Sequence, residues 1–166
     1  YAASKKAAET LCFTYHHLYG LDITIFRYFT VYGPAGRPDM SYFKFIKWIL
    51  EDKPVIIFGD GSQSRDFTYV DDIARGTILG LKILGYEIIN LGSDSPHSLM
   101  EIIKIIEAIT GKKSVIRYEP FQKVDAEKTW AEIRKAKRLL GWVKEQNIIA
   151  GMTNTILWAI RNKEIL

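Results

Sequence analysis

Apolar residues recur along this chain in two alternating rhythms, one at helical spacing and one in short β-branched or aromatic runs. Residues 1–19 are rich in alanine, carry Leu11, Tyr15 and Leu18 at helical spacing and meet a stop at Gly20, which predicts a helix. Residues 22–29, DITIFRYF, predict a strand. The next stretch, TVYGPAGRPDM at 30–40, holds two glycines and two prolines and predicts a shaped loop without regular structure. Ser41 is placed to cap a helix running to about Asp52, with Phe43, Ile46, Ile49 and Leu50 turned inward. A short apolar strand at 54–58, a second loop GDGSQSRD at 59–66 and an extended piece at 67–70 come next.

Asp71 or Asp72 is expected to cap a helix reaching about Leu84, and 87–91 predicts another strand. Ser98 and Glu101 have the three-residue spacing of a capping box, opening a helix with Leu99, Ile102, Ile103 and Ile106 on one stripe. A strand at 114–118 and helices at 132–140 and 147–161 complete the pattern. There is no internal repeat, low-complexity tract or linker. Alternating strands and helices predict an α/β lobe with a partly parallel sheet.

Composition narrows the function classes. With 166 residues, 48% hydrophobic and 25% charged, the chain is long and apolar enough for a core, which excludes disorder. The formal charge of +4 is mild and points to a pocket for an anionic small molecule rather than a nucleic-acid surface. The basic stretch 112–144 reads as a solvated face. Cys12 is the single cysteine, so neither an intrachain disulfide nor a thiolate zinc cage is available, and a reducing, cytoplasmic setting is expected. His16, His17 and His97 lack metal-ligand spacing, so no metal is expected. Apolar runs fall far short of the ~20 residues that cross a bilayer, and no charged-then-apolar leader opens the chain, so no membrane association is expected.

Tyr1 and Lys5 stand four apart, one above the other on the predicted first helix. An ammonium beside a phenol favours the phenolate and would let Tyr1 exchange a proton with a sugar hydroxyl. Such a pair also occurs by chance on solvated helices. Four longer motifs carry more information: ITIFRYFTVYGPAGRPDM at 23–40, IFGDGSQSRDFTYVDDI at 57–73, NLGSDSPHSLMEII at 90–103 and KTWAEIRKAKRLLGW at 128–142. Together with YAASK at 1–5 these resemble the extended short-chain dehydrogenase/reductases, the NAD-dependent nucleotide-sugar epimerases and dehydratases, and within them the UDP-glucuronate 4-epimerases.

The resemblance implies a fold and a set of roles. The fold would be the C-terminal part of a Rossmann-like doubly wound sheet plus a smaller α/β substrate-binding lobe. Residues 1–32 would supply the catalytic helix and a core strand, and 33–166 mainly the nucleotide-sugar lobe. Tyr1 would be the acid and base at the sugar 4-hydroxyl, Lys5 would hold the nicotinamide ribose, and Tyr28 and Phe29 would flank NAD. Thr30 and Arg37 would meet the sugar carboxylate, a guanidinium being suited to bidentate contact; otherwise Thr30 ends a strand and Arg37 is a solvated loop charge. Ile56 and Phe58 would hold the base, with core filling the alternative for Phe58. Arg65 would bind the diphosphate, and Gln122 and Asp125 the ribose and phosphate.

The resemblance also implies something the chain lacks, the G-x-x-G-x-x-G turn that holds the NAD pyrophosphate. The expectation is therefore a chain without the N-terminal dinucleotide-binding half, inactive by itself, and homodimeric through the helix 1–19 when complete. The implied reaction is C4 epimerisation of UDP-glucuronate. A UDP-glucose 4-epimerase, a 4,6-dehydratase and a non-catalytic nucleotide-sugar-binding remnant stand as alternatives.

Overall fold

A computed structural model describes residues 1–122 and 126–165. The chain opens with helix α1 (Ala2–Tyr19), closed by Gly20 in the left-handed conformation at φ 65, where a side chain would be strained. Strands β1 (Ile23–Tyr28) and β2 (Thr30–Tyr32) lead to α2 (Ser41–Leu50), β3 (Val55–Phe58), β4 (Ser64–Tyr69) and α3 (Val70–Leu79). Then come β5 (Tyr86–Leu91), β6 (Pro96–Ser98), α4 (Leu99–Thr110), β7 (Ile116–Glu119), α5 (Arg134–Leu140), α6 (Ile148–Arg161) and a short 3-10 turn at Lys163–Ile165.

The strands form three small sheets rather than one. β1 runs parallel to β5, with Ile23 opposite Tyr86 and Tyr28 opposite Leu91. β3 runs parallel to β7, and β2 parallel to β4, whose start also pairs antiparallel with β6. Each parallel pair is joined by a long crossover containing helices, as parallel geometry demands. This is a mixed α/β architecture with parallel pairing, as the alternating pattern predicts.

Two apolar clusters hold it together. The larger packs α2, α4 and α6 around Tyr32, Val55, Ile57 and Phe67, with Ile46, Ile102, Ile106 and Met152 sealed from solvent. Tyr32 is the hub of an aromatic group, meeting Tyr42, Phe67 and Tyr69 edge-on at 5.5–6.3 Å, the geometry that ring quadrupoles favour. Gly151 lets α6 come this close, because a Cβ there would overlap the Tyr32 hydroxyl. The smaller cluster packs α3, β5 and α5 around Trp142, whose indole N–H donates to the Asp72 carbonyl at 2.8 Å.

Several local expectations need correction. Residues 30–32 form β2 despite the glycines and prolines just beyond them, because β4 offers a parallel partner. β4 starts at Ser64, inside the expected loop, since β6 pairs with its first residues. Ser41 is the first helical residue of α2, Met40 holds the cap position, and no side chain caps that end. Neither Asp71 nor Asp72 caps α3, because Tyr69 occupies that position as the chain leaves β4 directly. Asp72 turns inward and accepts from Glu145 N and Gln146 N, both at 3.0 Å, and from Arg75 at 2.6 Å. The capping box at Ser98 and Glu101 forms with both bonds in place.

Ile106, sealed from solvent in the larger cluster, marks its centre. Ile106→Ala is expected to cost about 2–5 kcal/mol of folding free energy. Ile83→Ala, at an exposed position, is expected to cost less than about 0.5 kcal/mol. Urea denaturation of both variants checks the contrast.

Candidate active site

Tyr1 stands at the cap position of α1, and Lys5 comes one turn later, its ammonium 5.5 Å from the Tyr1 ring centre. Lys5 N–H donates to the Tyr1 carbonyl at 3.1 Å, which seats the tyrosine on the helix end. Both side chains line a cavity of about 410 Å³ together with Cys12, Arg27 and Tyr28. The helical spacing thus brings Tyr1, Lys5 and Tyr28 to one opening. Tyr28 is fixed from behind, its hydroxyl 2.9 Å from that of Thr77 on α3 and its ring stacked on Phe26.

Polar contacts and an aromatic contact, Phe13 edge-on to Tyr86 at 5.3 Å, hold α1 in this position. Every residue of α1 is exposed or half-buried, so an apolar face does not dock it. Glu9 accepts from Arg27 Nε and Nη2 at 2.7 and 2.6 Å, a bidentate clamp between α1 and β1, and from Lys6 at 2.9 Å. The Tyr86 hydroxyl donates to the Glu9 carbonyl at 2.9 Å, bringing β5 into the same joint. The hydrogen bonds from Arg27 and then Lys6 hold the Glu9 carboxyl at about 2, against an ordinary 4.5.

A second cavity, about 310 Å³, opens on the neighbouring side of the strand end and is lined by Phe29, Tyr32, Arg37, Met40 and Tyr42. Thr30, half-buried, pairs with Phe67 at the start of β2. Arg37 is bound within the loop: its Nε donates to Asp39 Oδ1 at 3.0 Å and its Nη2 to Asp39 Oδ2. That pairing raises the guanidinium pKa and lowers the carboxyl, and the Tyr1 phenol adds a smaller upward push on Arg37. Burial pushes the Tyr42 phenol, beneath the loop, up to about 12.

The third group lies on the far side of the larger apolar cluster. Along β3, Val55 and Ile57 are buried, while Ile56 is half-buried and Phe58 is 42% exposed. Strand alternation thus turns Ile56 and Phe58 to the face opposite the core, and core filling does not account for the Phe58 ring. Arg65 sits on β4 rather than in the glycine-rich loop, and its Nη1 donates to the Ser64 carbonyl at 2.8 Å and to the Glu127 carbonyl at 3.4 Å. Gln122 is exposed; its neighbour Phe121, with Gly59, Gln63 and Lys128, lines a cavity of about 450 Å³, and Gln122 itself does not. Asp125 lies outside the described residues.

Two buried polar residues escaped the sequence pattern. Asp66 accepts from Ser93 N, Asp94 N and Ala131 N at 2.5, 3.0 and 2.9 Å, tying three segments beside Arg65. Gln63 donates to the Phe58 carbonyl, linking the glycine-rich loop to the end of β3. The backbone donors to Asp66 lie up to 65 residues away, so no local spacing announces them. The described residues contain no group of three or more His, Cys, Asp or Glu side chains placed to hold a metal, and no helix long and apolar enough to cross a membrane.

Known proteins share both the sequence and this arrangement of elements. The model of the "NAD dependent epimerase/dehydratase family" matches residues 1–92. A UDP-glucuronate 4-epimerase of Thermodesulfobacterium geofontis is 61% identical over all of this chain and 52% of its own length. The crystal structure of UDP-glucuronic acid 4-epimerase from Bacillus cereus, in complex with UDP-glucuronic acid and NAD, superposes with a TM-score of 0.91 at 40% identity, covering 96% of this chain and 52% of that one. A UDP-glucose 4-epimerase from Thermotoga maritima with UDP-glucose reaches a TM-score of 0.94 at 30% identity, covering 98% of this chain and 54% of that one. The chain spans about half the length of the curated relatives it matches.

The Glu9 clamp has a pH signature. A carboxyl held below its ordinary value stabilises the clamp above the ordinary range and loses that contribution as the pH falls from about 4.5 through about 2. A carboxyl-carbon NMR titration is expected to give Glu9 a midpoint near 2, rising toward the ordinary value in Arg27→Met. A wild-type midpoint at 4.5 contradicts the clamp.

Proposed function

The chain belongs to the NAD dependent epimerase/dehydratase family, and from that premise we propose that it carries the proton-transfer pair and the nucleotide-sugar lobe of a 4-epimerase acting on UDP-glucuronate. The observation that carries this reading is Tyr1 and Lys5 side by side on one helix face, opening with Tyr28 on a single cavity. A phenol and an ammonium there suit a sugar hydroxyl and a ribose hydroxyl, and a flat aromatic neighbour suits a nicotinamide ring. These residues fit the nicotinamide end of the dinucleotide. The glycine-rich turn for its pyrophosphate does not occur among the 166 residues.

When bound, NAD supplies a reversible hydride acceptor for C4 of the sugar. The chain's own part is acid and base chemistry and orientation. Tyr1 takes the proton from the 4-hydroxyl oxygen and later returns one, so that no proton is gained or lost over a turnover. The Lys5 ammonium orients the cofactor ribose. Phe58 and Ile56 receive the base on the free face of β3, and Arg65 meets the diphosphate. Gln122 and Asp125 hold the nucleotide ribose and phosphate. Thr30 and Arg37 meet the sugar carboxylate. Support for a carboxylated sugar rather than plain UDP-glucose comes from the 61% identity to a UDP-glucuronate 4-epimerase.

α1 turns Leu11, Phe13, Tyr15, Leu18 and Tyr19 to solvent, each more than half exposed, which supports a homodimer through this helix. A cytoplasmic setting accompanies the reading, in line with the free Cys12. Nucleic acid and membrane play no part in it.

Tyr1→Phe in the full-length, NAD-loaded protein is expected to lower kcat for UDP-glucuronate epimerisation about 10²–10⁴-fold. UDP-glucuronate binding measured by calorimetry is expected to stay essentially unchanged. Retention of wild-type turnover would remove Tyr1 from the proton path.

A further inference from the structure

Arg37 is a candidate substrate contact with one edge of its guanidinium already filled by a neighbouring carboxylate. Nε and Nη2 lie on the same edge of the guanidinium, and both point at Asp39, one to each carboxylate oxygen. This is the fork-on-fork geometry that an arginine uses for a carboxylate, and a sugar carboxylate that takes the Nε–Nη2 edge competes with Asp39 for it. The pair is intramolecular, two residues apart, and both side chains are mostly exposed, at 74% and 58%.

The loop that carries the pair is held by its backbone. Met40 N–H donates to the Arg37 carbonyl at 3.2 Å, and Gly36 lies so close to the Tyr42 hydroxyl that a Cβ would overlap it. Ala35 takes the left-handed conformation at φ 54, a further constraint on the path of the chain. With the backbone fixed and both side chains in solvent, Arg37 and Asp39 separate by side-chain rotation alone. Arg37 lines two adjoining cavities, the one with Phe29 and Tyr42 and a second, of about 430 Å³, with Phe43 and Trp158. The guanidinium thus borders open space on two sides.

We propose that Asp39 is a specificity-determining residue, an internal carboxylate that occupies the Nε–Nη2 edge of Arg37 in the absence of a carboxylated sugar and is displaced from that edge when one binds. The proposal rests on the reading of Arg37 as the sugar-carboxylate contact. With an uncharged sugar in place, Arg37 keeps its partner and leaves no unpaired cation in the site. With a carboxylated sugar, one carboxylate replaces another, so the gain is only the difference between the two pairings. Asp39 therefore narrows the margin by which the site prefers a charged sugar over a neutral one.

The test uses the full-length, NAD-loaded protein and calorimetric Kd values for UDP-glucuronate and for UDP, which lacks the sugar. Asp39→Asn is expected to tighten UDP-glucuronate about two- to fivefold, the scale of an exposed ion pair, and to leave UDP unchanged. The gain is expected to vanish in the Arg37→Met background. Weaker or unchanged UDP-glucuronate binding in Asp39→Asn overturns the proposal; weaker binding would make Asp39 a prop that aims Arg37. The underlying reading is checked separately by Arg37→Met alone. If that variant weakens UDP-glucuronate and UDP equally, Arg37 does not read the carboxylate, whatever Asp39 does.

Discussion

A single buried carboxylate joins the two halves of this fold. Asp66 lies on β4, between residues of the larger apolar cluster, yet its oxygens accept from Ser93 and Asp94 just beyond β5 and from Ala131 in the smaller cluster. The Thr68 hydroxyl adds a fourth donor at 3.2 Å. A fully buried acidic group is costly unless such donors surround it, so these segments must converge for the carboxylate to be tolerated at all. Gly92 reflects the same constraint, since a Cβ there would collide with Ala131 and crowd the Asp66 carboxylate. Substituting one donor segment would leave a buried acceptor short, which makes the joint cooperative.

From that joint the rest of the site inherits its geometry. Arg65 precedes Asp66 on β4, and Ser64 pairs with the segment at Glu127 to Thr129, so the strand and the wall of the cavity beside Phe121 are set together. On the other side, β5 carries Tyr86, which reaches the Glu9 carbonyl and, with the Glu9–Arg27 clamp, fixes α1 over β1. Tyr1 and Lys5 therefore owe their position to polar contacts rather than to a buried helix face. Such contacts leave Leu11, Leu18 and Tyr19 of α1 exposed. Between these two regions the 33–40 loop, seated on the aromatic group around Tyr32 and Tyr42, presents Arg37.

The sequence made much of this legible because local rules govern the elements concerned. Helical spacing placed Tyr1 above Lys5, the capping box at Ser98 and Glu101 formed as spaced, and alternation along β3 put Val55 and Ile57 inside. What could not be read locally depends on partners far along the chain. β2 exists because β4 lies beside it, and Pro96 starts β6 at a strand end where its missing N–H does no harm. Asp72 has the sequence look of a helix cap, but a loop more than seventy residues later claims its oxygens. Arg37 was legible as a cation in a rigid loop, whereas its pairing with Asp39 needed side-chain geometry. Family resemblance supplied the candidate roles, and the fold brought Tyr1, Lys5 and Tyr28 to one opening, which Ile56, Phe58 and Arg65 do not line.

The central claim is that Tyr1 manages a proton while hydride leaves C4 of the sugar and comes back to the same carbon. Isotope retention tests it most directly. UDP-glucuronate carrying deuterium at C4 is converted by the full-length, NAD-loaded protein in ordinary water, and the product is analysed by mass spectrometry and NMR. The account predicts that the 4-epimer keeps its deuterium at C4. Exchange of that deuterium for solvent hydrogen would contradict it, because the C4 hydrogen would then have left as a proton.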